Sequence, residues 1–83
     1  MTDALKQKIL DDIAAYDGSD RSFGDIVSKF LESGDDPKAR AMELAERFGA
    51  SHPTIRRWAK GKGPHRALRP RVLKMIRESL TAP

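Results

Sequence analysis

Residues 41–60 read AMELAERFGASHPTIRRWAK, two helical patterns joined by a short turn centred on glycine. Leu44, Ala45 and Phe48 fall on one apolar helical face. Gly49 follows at once and suits the positive φ that ends many helices. Ala50 and Ser51 complete the turn, and Ser51 is a good N-cap for the next helix. In the second pattern Ile55, Trp58 and Ala59 are spaced i, i+3, i+4 and are expected to point inward. Arg56, Arg57 and Lys60 are left outside. Small Ala45 allows the second helix to cross close over the first, with Ile55 and Trp58 fixing the crossing. An ordinary antiparallel helix pair in a small bundle would satisfy the same pattern.

The charges are unevenly spread. Residues 1–50 carry seven Lys/Arg against eleven Asp/Glu, a net of −4. Residues 51–83 carry nine Lys/Arg against the single acid Glu78, a net of +8, which brings the chain to +4. No acid stands between Ser51 and Arg77. A merely solvated face usually mixes signs. This block does not, and it coincides with the second helix of the pair, the footprint expected for neutralising nucleic-acid phosphates.

Eighty-three residues suit one domain with a small core. With no cysteine there are no disulfides and no thiolate metal sites. No apolar run approaches the roughly 18–20 residues that span a bilayer. The start, MTDALKQKILDD, is polar and mixed in charge, unlike a secretory signal. A soluble cytoplasmic protein, associated with the nucleoid, is the expectation.

On either side of the helix pair the same rules predict three more helices. The first runs from about Asp3, as cap, to Tyr16, with Leu5, Ile9, Ile13 and Tyr16 as its apolar stripe. Asp17, Gly18, Ser19 and Asp20 break it. That turn lacks the later glutamate and alternating oxygen ligands of a calcium loop. A second helix is predicted from Ser22 to about Ser33, opened by a Ser22–Asp25 capping box and stopped by Gly34. Its core face is Phe23, Ile26, Val27, Phe30 and Leu31. Asp36 as cap and Pro37 at the first position open the helix that enters the motif, giving a pair over residues 37–60. Gly61, Lys62, Gly63 and Pro64 must form a loop, and without a preceding strand or Walker spacing this is no nucleotide cradle. A closing helix over residues 70–80 carries Val72, Leu73, Ile76 and Leu80 on one face. Nothing alternates with period two. The predicted fold is an all-α bundle of about five helices.

The spacing of Ala45, Gly49, Ile55 and Trp58 resembles the DNA-binding helix-turn-helix. From Phe23 to Leu80 the order of elements resembles the Xre/Cro-type regulators. The resemblance implies a recognition helix over about 51–60 lying in the major groove of double-stranded DNA. It also implies a role as a transcriptional regulator, with a repressor as the first expectation. By the resemblance Ser51, His52, Thr54, Arg56, Arg57 and Lys60 fall at positions facing DNA. The family usually has a polar residue near position 41 that braces the phosphate backbone. Here Ala41 stands there, so Arg40 or Lys38 is expected to take that task. The first helix, within residues 1–20, has no counterpart in the minimal fold. It either packs on the bundle or serves as a dimer surface. Since one helix-turn-helix reads few base pairs, a homodimer on DNA is expected.

Arg56 and Arg57 are the strongest candidates, because a guanidinium fork takes guanine O6 and N7 together or grips a phosphate. Neighbouring helical residues point about 100° apart, so Arg57 is favoured for the base and Arg56 for backbone, with two phosphate grips as the alternative. His52 and Thr54 lie in the first turn, which approaches backbone or base edges. Lys62, Arg66, Arg69 and Arg71 are expected to flank the groove, with His65 exposed among them. Trp58 is read as core rather than as a stacking platform. No cofactor, metal site or catalytic set is expected, because both histidines stand apart from clustered carboxylates. Two other functions fit the sequence: an antitoxin or adaptor whose acidic N-terminal half binds a protein partner, and the site-recognition subunit of a recombinase or transposase.

Overall fold

Five helices follow one another in the computed structural model, which describes residues 3–82, Pro37 by its backbone alone. They are α1 (Asp3–Ala14), α2 (Asp20–Glu32), α3 (Pro37–Phe48), α4 (His52–Ala59) and α5 (Arg69–Thr81). The described residues contain no strand, so the bundle is all-α. Residues 1, 2 and 83 of the expected domain lie outside the described residues. No helix among those described is long and apolar enough to cross a membrane.

Short-range capping sets most boundaries. α3 opens on Asp36, whose carboxylate accepts from the Lys38 amide at 2.9 Å, with Pro37 at the head of the helix. It closes on Gly49 at φ 62. α4 opens on Ser51, whose hydroxyl accepts from the Thr54 amide at 3.3 Å. Elsewhere the expected ends move. α1 stops at Ala14, two residues short of Tyr16, and Asp3 is its first helical residue rather than its cap. α2 starts at Asp20 because Ser19, in extended backbone, accepts from the Ser22 amide at 3.1 Å. Ser22 therefore lies inside the first turn, and the anticipated Ser22–Asp25 box does not form. Gly34 is not a left-handed cap, for the glycines with positive φ are Gly18, Gly49, Gly61 and Gly63. Its role is spatial: a Cβ there would meet Arg40 Cγ at 2.7 Å.

α2 is the central element and packs against each of the other four helices. Its Phe23, Ile26, Val27 and Phe30 are wholly buried. Around them gather Ile9 of α1, Ala41, Leu44 and Ala45 of α3, Ile55 and Trp58 of α4, and the Val72, Leu73, Ile76 and Leu80 face of α5. Burial of such side chains, worth about 1.5–3 kcal/mol each, is what opposes chain entropy here. Of the two readings of the first helix, packing on the bundle holds: Ile9 is fully buried, and Leu5, Leu10, Ile13 and Tyr16 lean on the core. Asp12 also ties α1 to α2, with its carboxylate 2.6 Å from Lys29 Nζ and 3.2 Å from Lys8 Nζ. The Lys29 hydrogen bond, reinforced by Lys8, holds that carboxyl below its ordinary range.

Two backbones approach each other closely where α4 ends. A Cβ on Gly24 of α2 would lie 2.7 Å from the Gly61 amide nitrogen, and one on Gly61, at φ 79, would lie 2.8 Å from the Asp20 carbonyl oxygen. The end of α4 thus rests directly on the first turns of α2. Helix propensity alone would make Gly24→Ala stabilising by about 1 kcal/mol. The clash with fixed backbone reverses the sign: thermal melting should show a loss of about 1–3 kcal/mol.

Candidate nucleic-acid interface

α4 is only eight residues long, and its placement comes from what surrounds it. Gly49 turns the chain sharply after α3, and the Ala50 amide returns to the Ala45 carbonyl at 2.9 Å. Ile55 is fully buried and Trp58 is 4 % exposed. The indole meets the Phe48 ring edge-on, with centroids 6.0 Å apart and planes at 64°, a favoured aromatic arrangement. Trp58 is therefore core, and its ring is not available for stacking on a base. At the far end Lys60 and Lys62 amides both return to the Arg57 carbonyl, so the loop leaves close to the helix axis.

With that face fixed inward, the opposite face is set by the 100° step. Ser51, Arg56, Arg57 and Lys60 are exposed, as are Lys62 and Arg66 in the following loop; His52 and Thr54 are half-buried. The structure thus leaves six of the sequence-predicted residues between positions 51 and 66 exposed and two half-buried. Among the described residues the ion pairs join Lys8 and Lys29 to Asp12, Arg40 to Glu43, and Arg69 to Asp20. None of them involves Arg56, Arg57, Lys60, Lys62 or Arg66, so these cations meet no internal carboxylate. One of them is nevertheless held: Arg57 Nη2 donates to Thr54 Oγ1 at 3.3 Å.

Two cations expected at the interface are engaged within the bundle, Arg69 buried and Arg40 half-buried. Arg40 is one of the two residues, with Lys38, expected to brace a phosphate in place of a polar residue at position 41. Its guanidinium instead lies 5.0 Å over the Phe30 ring, pairs with Glu43 at 3.1 Å and donates to Ser79 Oγ at 3.0 Å. It staples α3 to the ends of α2 and α5, and its charge is committed there. Ala41 beside it is 1 % exposed, a core residue rather than a surface position. Arg69, expected to flank the groove, is 4 % exposed. It lies 5.0 Å over the Phe23 ring, 2.7 Å from the Asp20 carboxylate, and donates through Nε to the Pro64 carbonyl at 3.1 Å. Asp20, followed by Tyr16, strengthens its hold on the proton. Arg69 thus anchors the basic loop to the start of α2. Arg71 stays exposed, as does His65, whose Nδ1 accepts from the Ala67 amide at 3.2 Å.

Two positioning features escaped the sequence. Arg69 and Asp20 are distant in the chain, and nothing local marks their pairing. Gly24 did carry a signal, since a glycine inside an otherwise apolar helix face implies a packing reason. Among the described residues no group of three or more His, Asp or Glu gathers as a metal site. Comparison with known proteins finds no matching family model, no matching curated protein and no matching solved structure.

The division between structural and free cations is open to test. Arg69→Ala removes a buried side chain stacked on Phe23 and should cost about 2–4 kcal/mol in thermal or urea unfolding. Arg66→Ala, on the same loop, should change stability by less than about 0.5 kcal/mol.

Proposed function

We propose that this chain is a sequence-specific double-stranded DNA-binding transcriptional regulator, acting as a repressor, with α4 as the helix that enters the major groove. The observation that carries the reading is the run of exposed cations along α4 and its loop, Arg56, Arg57, Lys60, Lys62 and Arg66, which make no ion pair among the described residues, on a helix propped by Gly49 and Trp58. Major-groove width admits one helix, and a short helix whose inner face is locked by core residues offers its outer face as a rigid reading surface. The spacing resembling the Xre/Cro-type motif supports the same assignment. In this reading Arg56, Lys60, Lys62 and Arg66 meet phosphates, Arg57 meets a base edge, and Ser51, His52 and Thr54 lie at the first turn. Arg40 takes no part.

One short helix reads too few base pairs for useful selectivity, so the bound form is a homodimer on a pseudo-palindromic site with half-sites roughly 34 Å apart. A protein partner for the acidic half has one specific observation behind it: Met42, an exposed large apolar residue at 49 %, stands on α3 beside Glu43 and Glu46. Such a partner is compatible with DNA binding elsewhere on the chain.

Selection from a random duplex pool, followed by titration across salt concentrations, tests the proposal. The expected result is a pseudo-palindromic consensus and a log–log salt slope of roughly −4 to −6, at about −0.9 for each of five to seven phosphate contacts. A slope near zero, or a pool that yields no consensus, would sink it.

A further inference from the structure

Two adjacent arginines on α4 differ in one respect. Arg57 Nη2 donates to Thr54 Oγ1 at 3.3 Å. Thr54 Oγ1 in turn lies 2.9 Å from Ser51 Oγ, the N-cap hydroxyl that also accepts the Thr54 amide at 3.3 Å. Arg56, one residue earlier, makes no side-chain hydrogen bond or ion pair among the described residues. The chain Arg57–Thr54–Ser51 therefore links one guanidinium to the capped first turn, and that turn is itself fixed by helix geometry.

The difference matters for what each arginine can do. Immobilising a long side chain on a ligand carries a substantial entropic cost, and a side chain already held in place loses less. A phosphate grip tolerates a mobile cation, because the field of a phosphate is broad. A base-edge contact does not, since guanine O6 and N7 must meet two parallel N–H bonds in one plane. Thr54 occupies one N–H of a guanidinium that carries five. Four remain, enough for the two-bond fork.

We infer that Thr54 is a positioning residue whose hydroxyl aims Arg57, so that Arg57 discriminates a guanine while Arg56 grips backbone. The inference rests on the DNA-binding reading and deepens it. It also gives Thr54 a role distinct from direct contact with DNA. Thr54 is half-buried at the flank of α4, placed to brace its neighbour one turn on.

The test is a double-mutant cycle read as selectivity, the ratio of affinity for the selected duplex to that for a random duplex. Thr54→Val keeps the shape and removes the acceptor. It should lower the ratio about three- to tenfold, because affinity for the selected duplex falls by more than affinity for the random one. Thr54→Ser should restore the ratio. In an Arg57→Ala or Arg57→Lys background, which has no fork to aim, Thr54→Val should have no further effect. The proposal is overturned if Thr54→Val keeps the wild-type ratio, or if its effect persists undiminished without Arg57. If the wild-type chain does not discriminate between duplexes at all, the DNA-binding reading fails, and that result is distinct from a failure of Thr54.

Discussion

The contact on which the arrangement depends is the backbone approach of Gly24 to Gly61. It lets the end of α4 rest on the first turns of α2 with no side chain between them. Without it α4 would have to stand off from the central helix, and Trp58 would leave its place between Phe48 and the core. The loop after α4 would also shift. That loop is tied to α2 a second time by Arg69, through Asp20 and Pro64. A short helix of eight residues has little intrinsic stability of its own. Its orientation is set by these tertiary ties and by the cap at each end.

The same ties explain how the charges are used. A strongly basic segment would be self-repelling if all of its cations crowded one surface. The structure withdraws Arg69, placing it over an aromatic ring and beside a carboxylate. In the acidic half it does the same with Arg40. What remains outside on α4 and its loop is a smaller set of cations that make no ion pair among the described residues. The counterion atmosphere of DNA rewards that kind of set, since each neutralised phosphate releases bound salt. Division of labour among the arginines is thus a consequence of packing, and it cannot be counted from composition.

Much of the fold was legible because its signals are local. The Leu44, Ala45 and Phe48 face, the Gly49 turn, the Ser51 cap and the Asp36–Pro37 opening each involve residues within four positions of one another. All four stand in the structure as expected. The start of α2 was misplaced because two serines three residues apart both suit a cap, and the backbone chose Ser19. Exposure follows helical phase at Arg56, Arg57 and Lys60, which stand outside as the 100° step requires. Helical phase does not give the surroundings of Arg40 and Arg69, which are made by Phe30, Ser79, Phe23 and Asp20. Those partners lie turns or helices away, and amphipathic arginines bury their stems wherever an aromatic face offers itself.

The surface proposed to bind nucleic acid is the exposed face of α4 and its loop. Titration of the isotopically labelled protein with a duplex selected from a random pool, followed by amide chemical shifts, tests it most directly. The expected shifts concentrate at residues 51–66, with the α1 amides and the exposed face of α3 around Met42 left in place. Shifts centred on α1 or on the acidic face of α3, or none at concentrations that saturate the protein, would contradict it.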